Sequence, residues 1–153
     1  MHVLVTRPEP DALKLKGLLE ERGHEATVEP LLSVSYDGFD PIDLDGVTAV
    51  IATSRYALMA LAAQQRANLD ARGMTVYAVG GATARLARQM GFGTVITGAG
   101  TAAALVPLIA STLDAAEEVL LHLAGAKITV DVAEELTNLG FRASTAVVYR
   151  MLA

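Results

Sequence analysis

VYAVGGATARLARQMGF, residues 76 to 92, changes character at a glycine pair. The run before Gly80 is apolar and rich in strand formers. After Gly81 the chain restarts as a short alanine-rich helix with two arginines, closed by Gly91-Phe92 as a C′ glycine closes a helix. A strand, a tight turn and a helix in direct succession make a βα unit. The same change recurs on either side, at VTAVIAT before TSRYA and at EVLLHLAG further on. These strands are almost continuously apolar rather than alternating, as burial on both faces of a parallel sheet requires. The spacing predicts strands near 2–6, 25–29, 47–53, 75–79, 94–97, 118–123 and 142–149, and helices near 9–22, 55–71, 82–90, 101–113 and 130–139. The expected class is α/β: a doubly wound, flavodoxin-like parallel sheet with helices on both faces, preceded by an incomplete N-terminal βαβ unit.

Working outward, YDGFDPIDLDG at 36–46 combines turn residues with four aspartates and reads as a linker. It separates residues 1–35, the βαβ portion of an incomplete first domain, from a complete α/β domain at 47–149. Residues 150–153 then begin a return linker. The chain has no cysteine, which removes disulfides and thiolate chemistry and fits a cytoplasmic address. Met1 leads directly into HVLVT, without the basic and apolar regions of a secretory signal. The uncharged stretch from Gly91 to Leu113 is too rich in glycine and threonine for a membrane span, and a βα pair accounts for it. A net charge of −5 with no basic stripe argues against nucleic acid. Any anionic ligand must therefore be held by local devices.

The βα junctions supply such devices. Thr53-Ser54, Gly80-Gly81 with Thr83, TGAGT including Gly98 and Thr101, and AGA including Gly125 each follow a predicted strand. In a doubly wound sheet these positions share one edge, where helix N-termini present free amides to carboxylates or phosphates. For Gly80 and Gly81 the alternative is a tight turn with a capping threonine at Thr83. No Walker loop and no full G-x-G-x-x-G is present.

Seven segments now stand in order: VLVTRPEPDA, EPLLSV, TSRYA, VYAVGGATA, GFGTVITGAGTAAAL, VLLHLAG and VVYR. Together the chain resembles uroporphyrinogen-III synthases over essentially its whole length. The resemblance implies a lyase of tetrapyrrole and heme biosynthesis that cyclises hydroxymethylbilane with inversion of ring D and loss of water, without cofactor or metal. It also implies that the catalytic group is Tyr149, whose phenol would assist departure of the hydroxyl, and that Thr53, Ser54, Gly80, Gly81 and Thr83 bind the polycarboxylate substrate. The rim of βα junctions adds Gly98, Thr101 and Gly125, and Arg7, just past the first strand, adds a charge that could pair with a carboxylate. Tyr56 departs from the pattern, standing where such proteins often carry asparagine. The resemblance further implies two-domain proteins in which a C-terminal half completes the first domain, so the expectation for this chain is weak or absent activity. The apolar faces of residues 1–35, which need a partner, predict a homodimer through that unit.

Other readings remain. TGAGT could serve a flavodoxin-like anion- or nucleotide-binding module, although the chain has no tryptophan and few aromatics to stack a flavin. An inactive tetrapyrrole-binding fragment of the synthase is a further alternative. His2, His24 and His122 are scattered, and His122 within VLLHLAG reads as a packed strand residue rather than a metal ligand. Adjacent Glu134 and Glu135 point different ways on a helix and form no acid–base pair.

Overall fold

The computed structural model describes residues 1–65 and 73–153. They form two compact units: residues 1–35 with 150–153, and residues 36–149.

In the first unit, β1 (His2–Val5), α1 (Asp11–Glu21) and β2 (Glu25–Val28) make a βαβ motif. β1 and β2 pair in parallel, from His2 opposite Glu25 to Val5 opposite Val28. Val5, Ala12 and Ala26 are its buried centre, with Leu15 and Leu19 of α1 packed around them. Gly23, at φ +81, takes the left-handed turn that returns the chain to β2. A strand that the apolar pattern does not predict, β3 (Ser33–Ser35), pairs antiparallel with residues 150–152 of the last strand, Ser35 opposite Arg150. Those last residues are thus strand rather than linker. Three residues with one apolar side chain carry no legible period, and β3 exists because a partner distant in sequence satisfies its backbone.

The second unit alternates β4 (Ala49–Ala52), α2 (Arg55–Gln65), β5 (Thr75–Ala78), α3 (Gly81–Gln89), β6 (Thr94–Thr97), α4 (Ala102–Thr112), β7 (Val119–Gly125), α5 (Val132–Asn138) and β8 (Arg142–Leu152). The final residues expected for the second helix lie outside the described residues. Its strands run in the order β8-β7-β4-β5-β6, every neighbouring pair parallel. The chain steps outward from β4 through β5 to β6, and α4 then carries it back to β7 on the other side of β4. That reversal is a topological switch point, where the connections on either side diverge and leave a crevice beyond the strand ends.

Strand alternation builds two layers. Val50, Ala52, Val76, Ala78, Leu121 and Leu123 pack with Leu58 and Leu61 of α2 and Ala84 and Ala87 of α3. Ala49, Ile51, Tyr77 and Leu120 pack with Leu105 and Ile109 of α4 and Val132 and Leu136 of α5. All four residues of β4 are buried, as expected for a central strand covered on both sides. Within 36–46, Ile42 is buried in the first of these layers, and its amide donates to Gln64 Oε1 at 2.7 Å. The doubly wound α/β fold expected from the sequence is therefore present.

Candidate functional site

Because β4, β5, β6 and β7 are parallel, Thr53-Ser54, Gly80-Gly81, Gly98–Thr101 and Gly125 all follow strand ends on one edge of the sheet. At the switch point a cavity of about 390 Å³ opens among residues that include Thr53, Gly100, Thr101, Gly125, Lys127 and Tyr149. Among the described residues its lining holds one charged side chain, Lys127, and no carboxylate. A larger concavity of about 630 Å³ lies between residues 38–47 and β7–β8, but Asp40, Asp43 and Asp45 line it. Three carboxylates repel an anionic ligand, so the smaller cavity is the better acceptor of one.

Each wall of that cavity has a local cause. Thr101 is the N-cap of α4, its Oγ1 accepting the Ala104 amide at 3.2 Å, so α4 presents its N-terminal amides there. Gly100 turns at φ +103 to bring Thr101 into place. Gly80 caps α3 without a side-chain hydrogen bond, and a Cβ on it would lie 3.6 Å from Gly100 Cα, so the two glycine turns lie side by side.

Tyr149 reaches the cavity through an irregularity in β8. Ala124 lies opposite Val147 but Gly125 lies opposite Tyr149, so β8 carries one extra residue there. Such a bulge re-aims the side chains around it. The ring is held on two sides. A Cβ on Gly125 would sit 2.8 Å from Tyr149 Cζ and 2.9 Å from its hydroxyl oxygen, so only glycine leaves room for the phenol. Tyr56 meets the ring at 5.8 Å between centroids and 53° between planes, a favourable tilted aromatic pair. Burial first, then the Tyr56 and Tyr149 phenols, raises the pKa of Tyr36 above its ordinary value.

Several expected rim residues do other work. Ser54 Oγ accepts the Tyr56 amide at 3.0 Å at the start of α2 and is absent from the cavity wall. Thr83 is 4% exposed, on the inward face of α3, and Gly80 and Gly81 also lie outside the wall. Arg7 belongs to the first unit, where it pairs with Asp11 at 4.0 Å. Gly98 is a packing residue: a Cβ would meet Leu105 Cδ2 at 2.8 Å and the carbonyl oxygens of Val79 and Ala78 at 3.0 and 3.2 Å. Backbone cannot yield as a side chain does. Gly98→Ala is therefore expected to cost about 2 kcal/mol of stability through overpacking, read as a lower midpoint in denaturant. An unchanged midpoint would show that the β6–α4 turn relaxes freely.

Lys127 and Thr129 were not among the expected site residues. A lone lysine two residues past a strand end reads as a solvated loop charge, and only the spatial proximity of residues 125–130 to Thr53 and Val79, just past the ends of β4 and β5, puts it in the cavity lining. Conversely His122, expected to be a packed strand residue, is 1% exposed, and its Nε2 lies 3.0 Å from Thr53 Oγ1. Among the described residues no group of three or more acidic, histidine or cysteine side chains could hold a metal, and no helix is long and apolar enough to cross a membrane.

Two solved structures illustrate the likeness of this fold to known proteins. Mutant uroporphyrinogen III synthase from Thermus thermophilus superposes with a TM-score of 0.63 at 20% identity, over 99% of this chain and 63% of that one. Uroporphyrinogen-III synthetase from Helicobacter pylori 26695 gives 0.58 at 19%, over 98% and 61% respectively. The chain thus spans under two thirds of either protein. No curated protein sequence matches it. The family model described as uroporphyrinogen-III synthase HemD matches residues 14–153, which takes in both cavity walls, the Gly125 turn and Tyr149. On that match, the chain belongs to the uroporphyrinogen-III synthase family.

Proposed function

We propose that the cavity at the switch point binds hydroxymethylbilane, and that the chain takes part in its cyclisation to uroporphyrinogen III with inversion of ring D and loss of water. The observation that carries this reading is the placement of the Tyr149 phenol, seated against Gly125, in a cavity walled by donors: Thr53, Thr101 with the α4 amides behind it, and Lys127. The carboxylates of this substrate offer only acceptors at neutral pH, and this lining answers with a hydroxyl, a helix N-terminus and an ammonium. In this reading the Tyr149 phenol transfers its proton to the hydroxyl as the C–O bond breaks, so that the leaving group departs as water, and the phenolate regains the proton that the tetrapyrrole releases on ring closure. Thr53, Thr101, Gly125 and Lys127 bind the substrate. Gly80, Gly81, Thr83, Gly98 and Ser54 support the turns around them, and Arg7 stays a proposed carboxylate partner supported by its exposed guanidinium.

A nucleotide-binding module is not favoured, given the family match across residues 14–153. The same proposal includes a cytosolic setting, supported by the lack of cysteine. It also includes a homodimer through residues 1–35, supported by exposed Leu4, Leu13 and Leu18, which light scattering at several concentrations would test.

A coupled assay on hydroxymethylbilane, scoring type III against type I product, tests the function, with a parallel titration of uroporphyrin III. Type III product above the spontaneous background is expected, and Lys127→Met should weaken uroporphyrin binding roughly tenfold at low salt, less at high salt. Binding without turnover would restrict the function to holding the tetrapyrrole. Type I product only, with no binding, would overturn the reading.

A further inference from the structure

Thr53 is the hydroxyl at the very point where the sheet reverses direction, and its partner inside the protein is His122. The imidazole is enclosed: the residue is 1% exposed, and Nδ1 is buried with no hydrogen-bond partner among the described residues. Burial lowers its pKa to about 4, against the opposing influence of the Asp131 carboxylate at the start of α5, so the ring is neutral at pH 7. A neutral imidazole has one N–H and one lone pair, and Thr53 meets only Nε2.

Two tautomers are possible, and they give Thr53 opposite characters. With the proton on Nδ1, a buried N–H is left unsatisfied, and Thr53 must spend its own proton on Nε2. Thr53 then offers only lone pairs to the cavity. With the proton on Nε2, His122 donates to Thr53 Oγ1, the buried Nδ1 keeps a bare lone pair, and the threonine proton is free to turn outward. Orphaned buried N–H groups are rarer than under-used acceptors, so the second arrangement is the stable one.

We propose that His122 is a positioning residue that holds the Thr53 hydroxyl as a hydrogen-bond donor toward carboxylates in the cavity. The inference rests on the proposed function, since it assigns a polarity to one wall of that site. In the relay His122 Nε2–H donates to Thr53 Oγ1, whose O–H donates to the ligand, and each bond polarises the next. The device also sets a preference: the Thr53 proton is always available to a ligand, while one of the two lone pairs of Oγ1 is already engaged by His122.

Long-range proton–nitrogen correlation on the whole chain labelled at histidine nitrogen reads the tautomer directly. The Nε2–H form is expected, and the Nδ1–H form would overturn the proposal whether or not the site binds tetrapyrroles. The second measurement is uroporphyrin III affinity for the wild type, His122→Gln and His122→Leu. Leucine should lose roughly tenfold, the worth of one hydrogen bond to a charged group. Glutamine, whose amide can donate to Thr53, should recover most of it. Equal affinity in all three with measurable binding overturns the positioning role. No binding even in the wild type sinks the proposed function instead, and the tautomer still decides the state of Thr53.

Discussion

Gly125→Ala is expected to lower turnover of hydroxymethylbilane as far as Tyr149→Phe does, on the order of 10²-fold, the contribution typical of one positioned proton donor. The reason is spatial. The new Cβ would fall 2.8 Å from Tyr149 Cζ and 2.9 Å from its oxygen, inside any real contact distance, so one of the two must move. What moves is the far end of a side chain rather than backbone, and swinging a ring off its rotamer costs only about 1 kcal/mol. Stability should therefore fall little while the phenol leaves its place. The Gly125→Ala, Tyr149→Phe double variant should be barely slower than either single one, because both remove the same donor. Single-turnover rates and melting curves on the three variants check this. Additive losses, or full activity in Gly125→Ala, would mean that the phenol acts from some other position or not at all.

Acid should unfold this chain through His122. Its ordinary value is 6.5, and burial lowers it to about 4 in the folded state. Above pH 6.5 the imidazole is neutral in both states and costs nothing. As pH falls from there, the unfolded chain takes up the proton first, so folding stability declines, and the loss is complete near pH 4. The gap corresponds to about 3 kcal/mol, a substantial part of the stability of a small domain. Denaturant midpoints for the wild type and His122→Gln, measured at about pH 7 and at about pH 4, separate this from the carboxylates. The variant should lose roughly 3 kcal/mol less over that interval. Parallel curves for the two proteins would show that water reaches the imidazole and that its burial carries no penalty.

The residues behind these predictions were legible in the sequence to different degrees. Tyr149 and Gly125 stand in the segments VVYR and VLLHLAG, which carried the resemblance, but their contact is not written there. It depends on an extra residue in β8 that shifts the register between Ala124 and Gly125. A bulge has no signature in hydrophobic period, since it changes which residues face each other and not which are apolar. His122 was legible as a packed strand residue, because its neighbours in VLLHLAG are all apolar or small. That its Nε2 would find Thr53 was not, since His122 lies on β7 and Thr53 just past the end of β4, and only the crossover through α4 makes those parallel strands neighbours.

What the sequence by itself determined is the alternation of elements, the parallel sheet and the shared edge on which its βα turns lie, because continuous apolar runs and glycine-closed helices are local signals of burial and chain reversal. Tertiary structure alone decided which turns meet. Of the residues expected on the rim, Thr53, Thr101, Gly125 and Tyr149 share a wall with Lys127, while Ser54 turns to the start of its own helix, Thr83 is buried on the inward face of α3 and Gly98 packs against its neighbours' carbonyls. Every turn at a strand end looks alike in sequence, but the crevice opens only beside β4 and β7, where connections leave in opposite directions. That divergence belongs to the order of strands in space, which no stretch of the chain encodes alone.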